Sequence, residues 1–496
     1  MGVRAARCLL VLLACGRFAW AQGDGPVARQ IAAGDRPAAS RLANAEDVRR
    51  RLGLVPGYES VARVSAIKVA VLDYGFDGNG GAQPYLPEGV VVVEHYDPEF
   101  VRQYGLGDPN YRKGFEPSNR HGRVMAQIIW AVTGSHRDGP KFYLLNANGP
   151  TMLRRAVRYA IEQKVDVVLF SGSFEGGGNG DGRGPINRIV DEALAANIVW
   201  INAAGNYGRR VYNGPVRILP DGYLRLRDGL DVAALRFRNR VDENDVSITL
   251  TWNDYKDAED AGTAKDLDLF VEDSAGRRVG TSEKTQVTTD GPAGPNESRN
   301  PRERVVLKNL AACPDVPSDP DYGYRIRVRA TRGAFTSADR LRVLVTASRD
   351  AYMAPAGTVR EAFEFVDATG EGEVYPPADN PLVLTVGDSD PSTSIGPTLD
   401  RRVKPDVILD DSRAFFTDGV VSAGSSNAAA YVAGVVTVLK ATAPALGPGE
   451  LLRIARQGSP VRSQRVRGPA SGLAPQYFTW QTPTRSRLAE VVLGVR

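Results

Sequence analysis

The sequence predicts an α/β protein: a doubly wound, mostly parallel sheet interrupted by an antiparallel β-sandwich insert. Three observations carry the prediction. Short unbroken apolar runs alternate with helical stretches from Ile67 to about 214. The periodicity switches to two between about 215 and 355, and the buried-strand pattern returns at Leu382-Val-Leu-Thr-Val386. Strands buried on both faces read as continuous apolar runs, whereas half-buried strands alternate apolar with polar residues.

The first series consists of Lys68 to Leu72, Val90 to Val93, Phe142 to Leu145, Val165 to Leu169 and Ile198 to Ile201, each bounded by turn residues. Helical stretches, Arg123 to Val132, Met152 to Gln163 and Pro185 to Ala196, lie between them. Strand-helix-strand order implies a doubly wound parallel sheet. In the insert, Val246, Ile248, Leu250 and Trp252 alternate with Ser247, Thr249 and Thr251, and Tyr324, Ile326, Val328 and Ala330 alternate with arginines. Leu267, Leu269 and Val271, then Leu341, Val343 and Val345, repeat the pattern. Ser426 to Lys440 forms a last apolar helix. The expected organisation is a leader over 1–21, a lead-in over 22–60 with a helix from Asn44 to Leu52, a first α/β part over 61–214, the insert over 215–355 and a second α/β part over 356–496.

With 496 residues, 42% hydrophobic and 24% charged, the chain has the composition of an ordinary folded protein. It opens with basic residues, an apolar run from Cys8 to Cys15 and Ala19-Trp20-Ala21 before Gln22, the pattern of a secretory signal peptide. A rival reading takes Leu12-Leu-Ala-Cys15 as a lipoprotein signal with a lipid anchor at Cys15; a membrane span is disfavoured because the run is short and ends at Arg17. Export to the cell envelope or the exterior is the expectation. The net charge is +4, and Arg4, Arg7 and Arg17 fall in the leader, so about +1 remains on the rest. That argues against nucleic acid as a partner. Removal of the leader leaves one of three cysteines, Cys313, in a Pro-rich stretch expected to be a surface loop.

Polar residues collect where open α/β sheets place their sites, beyond the carboxyl ends of the strands. Asp73 ends the first strand, His121 begins a helix, Asn206 follows the strand at Ile198 to Ala203, and Ser426 opens the last helix. A serine hydroxyl becomes a useful nucleophile when an imidazole takes its proton, and a carboxylate holds that imidazole in the right tautomer. Of three histidines, His95 and His136 read as surface or packing residues. Each site residue also has a bland reading. Ser426 could be a helix cap, Asp73 a strand-end turn residue rivalled by Asp77, and Asn206 a turn asparagine.

Four segments resemble the signatures of the subtilase family of serine peptidases. Val69-Ala-Val-Leu-Asp-Tyr-Gly75 resembles its aspartate motif, Asn119-Arg-His-Gly-Arg-Val-Met-Ala126 its histidine motif, Ala203-Ala-Gly-Asn206 its oxyanion segment, and Gly424-Ser-Ser-Asn-Ala-Ala-Ala-Tyr-Val-Ala-Gly434 its serine motif. Lys404-Pro-Asp-Val407 resembles the stretch before the serine loop. The chain order Asp, His, Ser is that of subtilisin. The resemblance covers about 67–206 and 375–445. It implies a subtilisin-like fold and a serine endopeptidase acting on protein or peptide through an acyl-enzyme. It also implies Asp73, His121 and Ser426 as triad, Asn206 as oxyanion donor, and substrate backbone laid along Ser171, Gly172 and Ser173 and along Ala203, Ala204 and Gly205. Departures are Tyr74 for a small hydroxyl residue, Arg123 for threonine, Val124 for histidine, and, in the serine motif, Ser425 for threonine, Asn427 for methionine, Ala430 for proline and Tyr431 for histidine.

No cofactor is expected. The insert carries Asp254, Asp257, Glu259, Asp260, Asp266 and Asp268, which could hold structural calcium, but the spacing matches no compact calcium loop and a solvated acidic face is the expectation. Gly176 to Gly180 lacks the Lys-Ser of a phosphate loop and is expected to form a flexible wall near substrate. Two competing expectations stand beside the peptidase: an inactive protein of the same fold serving as scaffold, and a sandwich that binds protein or glycan.

Overall fold

A computed structural model describes residues 28–30, 42–54, 62–76, 86–93 except 88, 120–134, 139–456 with short omissions (230, 259–260, 289–292, 314–321, 354–358, 418 and 420), 460–462 and 476–478. The leader with Cys8 and Cys15, most of the lead-in, and Asp77, His95, His136, Glu259 and Asp260 lie outside the described residues.

Seven parallel strands form the central sheet: β1 (Lys68–Asp73), β2 (Val91–Val93), β3 (Lys141–Asn146), β4 (Val167–Phe170), β5 (Val199–Ala203), β6 (Leu384–Asp388) and β7 (Val407–Leu409). Their spatial order is β2-β3-β1-β4-β5-β6-β7, with Ala28–Gln30 antiparallel on the β2 edge. The unbroken apolar runs have a direct cause. Val69 and Val71 of β1 face one layer and Ala70 and Leu72 the other, so both faces of the strand are covered. The first layer contains α2 (His121–Val132) and α5 (Ser425–Thr442), with α1 (Ala45–Arg51) packed outside them. The second contains α3 (Pro150–Glu162) and α4 (Pro185–Ala195).

Contact between α2 and α5 is close because Gly434 has no side chain: a Cβ there would sit 2.5 Å from Val132 Cβ. The two helices that begin at His121 and Ser425 are thereby held side by side. Arg49 of α1 donates to the Ala131 carbonyl at 2.8 Å, and Asn44 bonds both ways to residues 413 and 415, so this part of the lead-in is seated on the same layer.

Beside two short two-stranded pairs, the antiparallel region is built mainly on a five-stranded and a four-stranded sheet between Val211 and Phe365. Their inner faces share one core in which Val246, Ile248, Leu250, Leu267, Leu269, Ile326, Val328, Leu341 and Val343 are buried, the period-two residues of the sequence. Cys313 corrects an expectation. It is buried in this core, not on a surface loop, and its N–H bonds the Asn239 carbonyl at 2.5 Å. The glycine run is also corrected: Asn179 and Tyr255 exchange two hydrogen bonds of 3.0 and 2.8 Å, and Arg342 donates to the Gly178 and Val374 carbonyls while lying over the Tyr375 ring. The run is thus wedged between the antiparallel sheets and α4. A side chain at Gly177 would strike Ile186 of that helix at 2.6 Å.

Candidate active site

Strand ends and helix starts bring the expected residues to one edge of the sheet. Asp73 is the last residue of β1 and 2% exposed. Its Oδ2 lies 2.7 Å from Nδ1 of His121, the first residue of α2, and its Oδ1 accepts the Tyr74 N–H at 2.8 Å. A carboxylate so held fixes the proton on Nδ1 and leaves Nε2 as the basic nitrogen. Burial alone would lower the His121 pKa, but the charge and hydrogen bond of Asp73 outweigh it and raise it above the ordinary value.

Gly122 makes this approach possible. Its N–H bonds the Gly75 carbonyl at 2.7 Å, and a Cβ would lie 2.4 Å from the Phe76 ring and 2.7 Å from Asp73 Cβ. Gly122→Ala is therefore expected to push α2 off β1, costing about 1–3 kcal/mol of stability, read as a lowered Tm. Tyr74, one of the departures from the motif, stacks on the His121 ring with centroids 5.8 Å apart and planes 12° from parallel. The larger residue thus forms a wall for the imidazole.

At the serine loop the helix-cap reading fails. Gly424 occupies the cap of α5, with no side-chain capping bond, and Ser426 Oγ donates to the Ser171 carbonyl at 3.5 Å. The neighbouring serine anchors the asparagine instead. Ser425 Oγ donates to Asn206 Oδ1 at 2.8 Å, and the Ser425 N–H approaches the same oxygen at 3.4 Å. With its oxygen engaged, the exposed Asn206 side chain keeps its amide N–H₂ to donate. The Ser426 N–H, in the first turn of α5, has no acceptor within the helix. Asn206 is thus tied to the residue next to Ser426, at the start of α5.

Sequence reasoning missed how this loop is supported. Ser412 Oγ accepts the Gly424 N–H at 2.9 Å and donates to Asp388 Oδ2 at 2.8 Å. Asn427, in place of methionine, accepts from Ser422 at 3.0 Å and donates to the Ser412 carbonyl at 3.1 Å. Burial raises the Asp388 pKa against the opposing bonds from Thr393 and Ser412. Tyr431 fills the second histidine position and donates to the Arg413 carbonyl at 2.9 Å, while Ala430 is fully buried in the helix contact. None of these partners is adjacent in sequence, so no local pattern announces them.

The two segments expected to hold substrate flank Ser426. Ser171, Gly172 and Ser173 run on from β4; Ala203 ends β5, and Ala204 and Gly205 continue to Asn206. Asn202, fully buried, ties them by donating to the Gly172 carbonyl at 3.0 Å and the Ala203 carbonyl at 2.8 Å. The acidic residues of the antiparallel region are held at several places. Asp254 pairs with Lys256, Lys265 and Thr263, Asp257 accepts the Gly184 N–H, and Asp266 and Asp268 lie along one strand. Burial and the neighbouring Asp266, Glu283 and Glu303 push the Asp268 pKa up to about 6. Among the described residues no group of three or more His, Cys, Asp or Glu is arranged to hold a metal ion.

The chain is similar to the solved structure of the Clostridium perfringens CspB protease at 15% identity, over 90% of this chain and 97% of that one, with a TM-score of 0.51. The fold is subtilisin-like. The prenylagaramide maturation protease PagA matches at 11% identity over 84% of this chain and 92% of that one, with a TM-score of 0.37. MycP1 of Mycobacterium smegmatis matches at 16% identity, 92% and 90% coverage and a TM-score of 0.32. No family model matches the sequence, and no curated protein is similar to it. Within the subtilisin-like fold, Asp73 ends β1, His121 begins α2, Ser426 is the second residue of α5 and Asn206 lies three residues beyond β5, all on one edge of the sheet.

Proposed function

We propose that the chain is an exported serine endopeptidase that hydrolyses protein or peptide substrates through an acyl-enzyme. The observation that carries this reading is the Asp73–His121 contact of 2.7 Å on the same sheet edge where Ser425 anchors Asn206 beside Ser426. In the reaction, His121 Nε2 accepts the proton of Ser426 Oγ as that oxygen adds to the peptide carbonyl carbon. Asp73 stabilises the imidazolium so formed. The carbonyl oxygen, now an anion, receives hydrogen bonds from Asn206 Nδ2 and the Ser426 N–H. His121 returns the proton to the leaving amine, and water releases the acyl group by the same route.

Export rests on the basic, apolar and small-residue segments of the first 21 residues. Among the described residues no helix is long and apolar enough to cross a membrane. The test is labelling of the purified protein with an alkyl fluorophosphonate, together with cleavage of an unfolded protein. The wild type is expected to label and cleave and His121→Ala to do neither; a wild type that does neither contradicts the reading. Asn206→Ala is expected to lower kcat by about 10²–10³-fold, the loss typical of one oxyanion donor, with KM little changed. Steady-state kinetics on a peptide amide check it.

A further inference from the structure

On the reading just given, the side chain preceding the cleaved bond must descend beside Ser426, between residues 171–173 and residues 203–205. The space between these segments is spanned by an aromatic ring. Tyr207 folds back over Gly205, so that a Cβ added there would lie 3.2 and 3.3 Å from Tyr207 Cδ2 and Cε2. At its other end the Tyr207 hydroxyl accepts a hydrogen bond from Ser173 Oγ at 3.1 Å. One side chain therefore reaches from the second segment to the first.

The ring is fixed from behind. The Tyr207 N–H donates to Ser394 Oγ at 2.9 Å, and Ser394 in turn donates its N–H to the Gly205 carbonyl at 2.9 Å. Tyr375, 1% exposed, meets the ring edge-to-face with centroids 5.5 Å apart, and the Arg342 guanidinium lies 4.3 Å from the Tyr375 centroid. Moving Tyr207 aside would break the Ser173 bond and disturb this buried stack, so a large substrate side chain has no inexpensive way to enter. Burial, and after it the charge of Glu175, raise the phenol pKa, so the hydroxyl stays neutral.

We propose that Tyr207 is a specificity-determining residue that closes the pocket between residues 171–173 and 203–205, so that the residue on the carbonyl side of the cleaved bond is glycine, alanine or serine. Discrimination follows from steric exclusion, and a single methylene of misfit changes rates by about 10–200-fold in a tight pocket.

The test compares labelling rates of two peptidyl phosphonates that differ only in carrying an alanine or a phenylalanine side chain next to phosphorus. The wild type is expected to react with the alanine probe at least about 10-fold faster. Tyr207→Ala should reverse or abolish that preference, while Tyr207→Phe, which keeps the ring, should retain it; thermal unfolding verifies that each variant is folded. Equal rates of the two probes on the wild type, or faster reaction of a matching arginine probe, would overturn the proposal and leave the peptidase reading standing. A wild type that takes neither these probes nor a simple alkyl fluorophosphonate would overturn both.

Discussion

Ser426→Ala is expected to lower kcat by about 10⁶-fold, the scale of loss when the nucleophile of a Ser-His-Asp triad is removed. The stability should change by no more than about 0.5 kcal/mol, as for substitutions that break no structural feature. The two expectations belong together. Ser426 Oγ makes a long 3.5 Å bond to the Ser171 carbonyl and caps no helix, so alanine removes chemistry and little else. The adjacent serine supplies the contrast. Ser425 is 1% exposed and holds Asn206 at 2.8 Å, so Ser425→Ala should retain the nucleophile and lose part of the oxyanion contribution, a smaller fall than that of Asn206→Ala. Active-site titration and kinetics on the three variants measure the order.

Asp73→Asn should lower kcat by about 10⁴-fold, because an amide at this position can donate to Nδ1 and leave the proton on Nε2, the nitrogen that must accept it from serine. The substitution also has a signature in pH. Asp73 raises the His121 pKa above its ordinary value, so the rising limb of kcat/KM in the wild type, which follows loss of the imidazolium proton, lies above the usual imidazole range. Without the carboxylate, burial alone acts and the limb moves to lower pH. Stability carries the same sign. A histidine whose folded pKa is raised stabilises the fold fully below the unfolded imidazole pKa, and the contribution fades as pH rises through the folded value. The variant should therefore lose more stability relative to wild type in acid than in alkali, as measured by denaturant unfolding across that range.

Much of this arrangement could be read from the chain because its signals are local. Val69 to Leu72 is apolar at every position since both faces of β1 are covered, and Asp73 interrupts the run at the sheet edge. Val246, Ile248, Leu250 and Trp252 alternate with polar residues since they face the sandwich core, whereas Thr249 and Thr251 on the other face are buried too, Thr249 donating to Glu175. The Asp73–His121 pair spans 48 residues, but a scarcity of histidine and a glycine at 122 mark its partner. What escapes a reading of the sequence depends on contacts between distant residues. Ser412 supports the serine loop from 12 residues before Gly424, Ser425 meets Asn206 across 219 residues, and Tyr207 reaches Ser173 across 34. The glycine run misleads for the same reason: Tyr255, Arg302 and Arg342, which surround it, come from the antiparallel sheets and their loops.

Two adjacent serines at the start of α5 give the central claim a direct test: locating the fluorophosphonate adduct by peptide mass spectrometry of the labelled wild type. The predicted result is a single adduct on Ser426, absent after Ser426→Ala and after His121→Ala. An adduct on Ser425, or labelling that persists without His121, would contradict it.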